Sequence, residues 1–281
     1  MDKDIELTEQ QREQWSAVAP GWQKWTDWFE EQSAALTRRL CDDAGVAPGK
    51  RILDLACGGG EPAATAAARV APSGSILATD LSPEMVEATR HRAGRLGLGN
   101  LEARVMDAQA LDLPDHSFDG ATCRFGLMFC PDPVRAASEV RRVLRPGAHL
   151  AAAVWDTPAT NPFFMFLMGI LAKFTTLPAP DPTAPGLFRL APPGEFERTL
   201  VAAGFKDVHV ESFPMLWSYP SAEAYWQIQT DIAAPLRALI AKMDAGTVAA
   251  LKAAVIEGLE LYTQNGRVQL AAVALCARAT A

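Results

Sequence analysis

The 281-residue sequence predicts an α/β fold, a mostly parallel sheet with helices on both faces. Three observations carry that expectation. From residue 51 onward, short apolar runs alternate with helical stretches, the rhythm of repeated β-α units. Gly, Pro, Ser or Asp punctuates the junctions. Asp54, Asp80 and Asp107 fall at or just beyond the ends of successive strands, and sheets of this kind bind ligands beyond the carboxyl ends of their strands.

Residues 7–40 read as helical, interrupted at Pro20-Gly21. Trp15, Val18, Trp22, Trp25 and Phe29 form one apolar stripe at helical spacing. The stripe suits a helix packed on the core, a lid laying tryptophans over a ligand, or both. Strand 51–55 runs into Gly58-Gly59-Gly60 and an alanine-rich helix over 62–70. Strand 75–79 ends at Asp80, and Ser82-Pro83-Glu84 opens the next helix with a capping serine, a proline at the first position and an acid in the first turn. Gly97–Asn100 closes that helix, strand 101–106 ends at Asp107, and 118–124 forms a fourth strand. Asp132-Pro133 caps another helix. Arg145-Pro146-Gly147 is expected to turn the chain into a fifth strand, 148–155.

Beyond Trp155 the rhythm breaks. A proline-rich tract spans 158–193 and holds the apolar run Phe163–Met168. A helix over 195–203, stopped by Gly204, leads to a strand over 207–213. An aromatic stretch with Trp217, Tyr219, Tyr225 and Trp226 follows, then helices at about 221–243 and 245–263 and a last strand, 268–277.

The glycine turn admits two nucleotide-like ligands. Gly58-Gly59-Gly60-Glu61-Pro62-Ala63 fits the dinucleotide pattern Gly-x-Gly-x-x-Ala, with Asp80 near the position of its ribose acid. A pyrophosphate there would meet Asp54 and Glu61, and Pro62 withholds one N–H. S-adenosylmethionine carries no phosphate, and its sulfonium and ammonium favour nearby acids. Asp80 then suits the ribose hydroxyls, and Asp107 with Ala108 the adenine edge. Capping or turn formation is the ordinary alternative for each acid.

Four segments resemble the motifs of class I S-adenosylmethionine-dependent methyltransferases: Ile52–Gly60, Ala78–Met85, Met106–Leu111 with Leu113–Asp119, and Glu139–Gly147. Together they cover residues 51–155. The nearest resemblance is to the ubiquinone/menaquinone-biosynthesis-like small-molecule enzymes. It implies a Rossmann-like, seven-stranded sheet with an N-terminal helical lid and helical cap insertions. It also implies cofactor contacts at Asp54, Ala56, Gly58, Gly60, Asp80, Leu81, Met85, Asp107, Ala108 and Arg124, with Phe125 beside Arg124 at the methionyl end. Ala56 departs from the glycine that many members carry. The expected organisation is a single domain: lid 1–45, cofactor core 46–155, substrate caps 156–194 and 214–264, and sheet-completing segments 195–213 and 265–281.

Composition sets the outer bounds. The formal charge of −7, from 26 basic and 33 acidic residues, disfavours a nucleic-acid partner. Five scattered cysteines without metal-ligand spacing predict reduced thiols and no metal. No signal peptide is read, because the N-terminus is polar, and no membrane span, because the longest apolar run falls short of the about 20 residues a helix needs to cross a bilayer. A cytoplasmic enzyme acting on a small molecule is expected, either alone or as a homodimer. Without an Asn/Asp-Pro-Pro-Tyr/Phe motif after the fourth strand, methylation of nucleic-acid bases or glutamine is disfavoured.

Trp22, Trp25, Phe163, Phe164, Met165, Met168, Trp217 and Trp226 are expected to line an apolar acceptor pocket, for C- or O-methylation of a quinone, phenol or natural product. A non-catalytic S-adenosylmethionine-binding regulator and an NAD(P)-dependent oxidoreductase are the alternatives. No catalytic base is identifiable. His91, His116, His149 and His209, the turn residues Asp156 and Asn161, and Tyr219, Tyr225 and Tyr262 all have ordinary structural readings.

Overall fold

The structure, a computed structural model, describes residues 3–177, 181 and 183–281. Strands β1 (Arg51–Leu55), β2 (Ser75–Asp80), β3 (Leu101–Val105), β4 (Phe118–Arg124) and β5 (Leu144–Trp155) pair in parallel. The long strands β6 (Lys206–Tyr219) and β8 (Arg267–Thr280) join antiparallel, in the order β3-β2-β1-β4-β5-β8-β6. The seven expected strands are all present. An eighth among the described residues, β7 (Thr263–Gln264), is a two-residue partner of β8 off that path. Strand order reverses across β1, which has β2 on one side and β4 on the other. A crevice therefore opens beyond the carboxyl ends of these strands.

Helices α3 (Pro83–Leu96) and α4 (Pro133–Val143) follow the capping signals closely, while α2 (Ala63–Val70) starts after Pro62 without a side-chain cap. The Ser82 hydroxyl accepts from the Met85 N–H, Asp132 accepts from the Arg135 N–H, and Gly97 ends α3 in the left-handed conformation. Alanines 63, 66 and 67 of α2 are fully buried against Ile52 and Ile76, where short side chains let the helix lie close to the sheet. The opposite face carries the larger core, including Leu53, Phe118, Leu127, Val140 and Leu150.

Several expectations are corrected. Arg145-Pro146-Gly147 is not a turn before β5. It lies within the strand, where the register with β4 shifts between Phe118 and Gly120. β6 runs to Tyr219, six residues past its expected end, so residues 214–219 belong to the sheet and not to a cap. The helix expected over 221–243 divides into α7 (Ala222–Ile232) and α8 (Ala234–Ile240) because Ala233 is extended and Pro235 offers no N–H to the Asp231 carbonyl. The apolar run forms α5 (Pro162–Leu171), α6 is Glu195–Ala202, and α9 (Ala245–Gly258) ends in a short 3-10 turn at Leu259–Tyr262. Pro178, Pro180 and Pro182 of the proline-rich tract lie outside the described residues.

The largest correction concerns the N-terminus. Pro20 does not interrupt the helix; α1 (Lys3–Asp43) is continuous through it. An interior proline costs a helix about 3 kcal/mol, and tertiary packing offsets it here. The C-terminal half buries Leu36, Leu40 and the following Ala44 against Ala151, Ala153 and Ala274 of the sheet. Around the proline, Arg237 of α8 donates to the Ala17 carbonyl (2.8 Å), and Asp231 of α7 accepts from both Lys24 Nζ and Trp25 Nε1 (2.8 Å each). Gly21 permits this approach, because a Cβ there would lie 2.1 Å from the Asp231 carbonyl oxygen. Replacing Gly21 by Ala should force α1 and α7 apart and cost roughly 1–3 kcal/mol, the range for overpacking a closed contact. Thermal or urea unfolding measures this, and an unchanged midpoint would refute the clamp.

Candidate active site

The glycine turn is held from three sides. The Gly60 N–H donates to the Cys57 carbonyl (2.8 Å) and closes the turn. The Gly58 N–H donates to Asp80 Oδ2 (2.9 Å), and the Gly58 carbonyl accepts from the Thr89 hydroxyl (2.9 Å). Gly58 has φ +52°, a backbone region that costs little only for glycine, and a Cβ added there would meet nothing within 4 Å. Bare main chain therefore borders open space. Ala56 also has positive φ (+53°), so the alanine in place of the more usual glycine keeps glycine's conformation. Gly126 makes room for it: a Cβ on Gly126 would lie 2.5 Å from the Ala56 methyl.

Of the residues expected at the site, Ala56, Gly58, Leu81, Asp107 and Ala108 are half-buried along the crevice, and Asp80 is 9% exposed beside them. Asp80 Oδ1 accepts from the Ser82 N–H (2.9 Å), so the carboxylate that bonds the glycine turn also fixes the start of α3. One bond to each oxygen leaves further lone pairs on both. Burial raises its pKa, against these backbone bonds. Asp107 Oδ1 accepts from the Gln109 N–H (2.9 Å) in a local turn.

Asp54, Gly60 and Met85 are buried behind these residues. Asp54 is fully buried: Oδ1 accepts from the Thr122 hydroxyl (2.6 Å) and Oδ2 from the Ala63 N–H (3.1 Å). It braces β1, α2 and β4 and does not reach the cleft surface. Gly60 is buried against Thr89 and Arg92, and Met85 packs with Val18 and Ala19 of α1. Arg124 turns toward α1, where Nη1 donates to Ser33 Oγ and Thr37 Oγ1 (2.7 Å each) and approaches Glu30 (3.3 Å).

Sequence reasoning missed how α1 uses polar side chains to follow the crevice. Thr8 lies 3.3 Å from Gln109 Nε2 near Asp107, and Ser16 lies 3.1 Å from Ser82 beside Asp80. Thr26 Oγ1 stands 2.9 Å from where a Gly59 Cβ would be, and Glu30, Ser33 and Thr37 meet Arg124. A row at 26, 30, 33 and 37 has helical spacing, so a signal was present in the sequence beside the tryptophan stripe. Gln109 was also missed. It is 6% exposed, and its Oε1 accepts from the Asp132 N–H (2.8 Å), joining the β3 end to α4.

The aromatic inserts do not line one pocket. Phe163 and Trp217 are sealed in the core at 4% and 1% exposure, whereas Met165 and Met168 face outward at 41% each. Trp22, Trp25, Phe164 and Trp226 are half-buried. The aromatic wall stands instead at the ends of β4 and β5. Phe125 (φ +61°) stacks on Trp155 at 3.9 Å between centroids, Phe164 meets Trp155 edge-on at 5.0 Å, and Phe129 meets Trp15 of α1 at 4.9 Å.

Several of the polar residues considered as bases hold structural posts, whereas the buried Tyr225 hydroxyl has no hydrogen-bond partner among the described residues. Asp156 accepts from the Thr157 N–H, and the fully buried Asn161 bonds four acceptors and the Val273 N–H. His116 Nδ1 lies 3.0 Å from the Leu144 carbonyl oxygen, and His149 contacts Arg278. Tyr219 accepts from Gln229 Nε2 in the core.

A family profile described as a methyltransferase domain matches residues 53–152. A demethylmenaquinone methyltransferase of Staphylococcus aureus is 30% identical over 192 residues, 65% of this chain and 79% of that protein. An uncharacterized protein of Mycobacterium tuberculosis is 39% identical over 126 residues, 45% of this chain and 44% of its own, so the chain spans less than half the length of that relative. Among solved structures, the YcgJ protein of Bacillus subtilis shares 20% identity at a TM-score of 0.58, over 87% of this chain and 97% of that one. At that identity the likeness concerns the fold.

Burial pushes the Asp54 carboxyl up to about 7 against the downward pull of Thr122, from an ordinary 3.8. With the folded value above the unfolded one, the stability carried by the protonated form is complete below about pH 4 and lost as pH rises to about 7. Between pH 5 and 8 the wild type should lose roughly 2–4 kcal/mol more than Asp54→Asn, at about 1.36 kcal/mol per pKa unit. Parallel urea-unfolding curves at the two pH values check this; identical pH slopes would contradict it.

Proposed function

Because this chain belongs to the class I S-adenosylmethionine-dependent methyltransferases, whose cofactor is S-adenosylmethionine, we propose that it methylates a small hydrophobic or aromatic acceptor at carbon or oxygen. The observation that carries the acceptor class is the stack of Phe125 on Trp155 at the ends of β4 and β5, flanked by Phe164. Phe125 and Phe164 are half-buried at these strand ends, on the side of the sheet away from Asp80 and Asp107, with Trp155 buried behind them. The relative that acts on demethylmenaquinone supports the same reading.

The residues present fit the cofactor. The open face of Gly58 lets its methionyl part lie on main chain, and the spare lone pairs of Asp80 accept from ribose hydroxyls. Asp107 and the Ala108 backbone read the adenine edge. When bound, S-adenosylmethionine supplies an electrophilic methyl group on a sulfonium. The chain's own contribution is positioning and dryness: α1 covers the crevice, and the aromatic wall holds a flat acceptor against it. Asp156, Asn161 and His116 are engaged in structural hydrogen bonds, so an acceptor that arrives ionised or carbon-nucleophilic suits this site.

Two measurements test this. Asp80→Ala should weaken S-adenosylhomocysteine binding by about tenfold or more in calorimetry, through loss of a charge-assisted pair of bonds; unchanged affinity would refute the ribose assignment. Labelled methyl from S-adenosylmethionine, incubated with a metabolite extract, should enter the organic-soluble fraction. Phe125→Ala should lower kcat/KM for the recovered acceptor by about tenfold or more, the loss of one stacked aromatic contact. Label confined to nucleic acid, protein or water-soluble amines would overturn the acceptor class.

A further inference from the structure

Trp226 does not join the aromatic wall. It lines a separate cleft of about 600 Å³, closed by α1, α7, α8 and the start of α9. That volume falls within the range of about 300–1,000 Å³ typical of small-molecule sites. The α1 residues at this cleft are Pro20, Gly21 and Lys24. Those that meet the glycine turn and the end of β4 are Thr26, Glu30, Ser33 and Thr37. At about 100° per residue the two sets lie on opposite sides of the helix. One face of α1 therefore covers the strand-end crevice, and the other borders this cleft.

The cleft is apolar on one side and charged on the other. Trp226, Ile240 and Val248, all half-buried, bring apolar surface from three different helices. The charged side holds two cations, Lys24 and Arg237, against one acid, Asp231. Lys24 pairs with Asp231 at 2.8 Å, and Trp25 Nε1 donates to the same carboxylate oxygen. Among the described residues Arg237 forms no ion pair, and its one hydrogen bond runs from Nη1 to the Ala17 carbonyl (2.8 Å). Burial would raise the Asp231 pKa, yet Lys24, Trp25 and Arg237 hold it below its ordinary value. The second cation thus leaves a positive excess beside an apolar wall. Its Nε–Nη2 edge is the planar fork that takes both oxygens of a carboxylate.

We propose that this cleft is a second ligand site, for a small amphipathic monoanion. Its carboxylate seats on the Nε–Nη2 edge of Arg237, and its flat apolar body packs on Trp226, Ile240 and Val248. A neutral body would leave that edge to water, and a cationic one would be repelled by Lys24 and Arg237. The bound anion would join α8 to α1 from behind, on the face turned away from the crevice. The site is separate from those of the methyl donor and the methyl acceptor, and it stands whatever that acceptor is.

Calorimetric titration of the full chain with three probes tests it: naphthoate, naphthylmethanol, which keeps the ring and lacks the charge, and acetate, which keeps the charge and lacks the ring. Naphthoate should bind about tenfold or more tighter than either of the others, as for a bond to a charged group added to ring burial. Saturating S-adenosylhomocysteine should not displace it. Arg237→Gln should weaken naphthoate by about tenfold or more and leave naphthylmethanol within about twofold, which also reports a folded variant. Val248→Trp fills the cleft and should weaken both ring probes by about tenfold or more, while S-adenosylhomocysteine binding stays within about twofold. Equal wild-type affinity for naphthoate and naphthylmethanol, or equal effects of Arg237→Gln on both, would overturn the carboxylate assignment. Naphthoate binding that survives Val248→Trp, or that S-adenosylhomocysteine displaces, would place the anion in the crevice and overturn the second site. Absence of binding at about 1 mM naphthoate would overturn the proposal outright.

Discussion

A carboxylate that never reaches the cleft organises the site. Asp54 is completely buried where the strand order reverses, and its two oxygens accept from the Ala63 N–H and the Thr122 hydroxyl. Those bonds fix the start of α2 and the middle of β4 relative to β1, and the glycine turn spans the interval between β1 and α2. Keeping a carboxyl in that position is expensive, as its rise to about 7 indicates. An apolar residue would be easier to bury, but it would leave the Ala63 amide and the Thr122 hydroxyl unpaired.

Asp80 repeats the device one strand along, at the margin of the cleft. It bonds the Gly58 and Ser82 amides, so the turn and the start of α3 move as one body. Its remaining acceptor capacity faces the crevice. The two aspartates have similar sequence contexts, a strand end followed by a turn, and differ in role through depth.

Helix α1 unites the two halves of the molecule. Its C-terminal half is ordinary core, packed on β5 and β8, and its N-terminal half crosses the strand ends from Gln109 to the glycine turn. Both readings of the tryptophan stripe therefore hold, each for part of the helix. Pro20 is tolerated because α7 and α8 grip the helix on either side of it through Asp231 and Arg237. That grip joins the helix over the cofactor crevice to the helical insertion at the far end of the chain.

The cofactor core was legible in the sequence because its signals are local. Ser82-Pro83, Asp132-Pro133 and Gly97 act on the backbone next to them, and strands buried on both faces read as apolar runs wherever they lie in the chain. The glycine turn and the aspartates at strand ends follow from the same short-range rules. Tertiary structure alone decided the rest. Whether Pro20 breaks a helix depends on partners more than 200 residues away, and whether Phe163 or Trp217 lines a pocket depends on what covers it. Both proved to be core, as did Trp155, while Phe125 stays half-buried because positive φ at the end of β4 lays its ring on Trp155. The sequence by itself determined the sheet and the glycine turn, since those are written in adjacent residues. Depth, and with it the division of the acids into a buried brace and those at the crevice, arose only when distant segments closed over them.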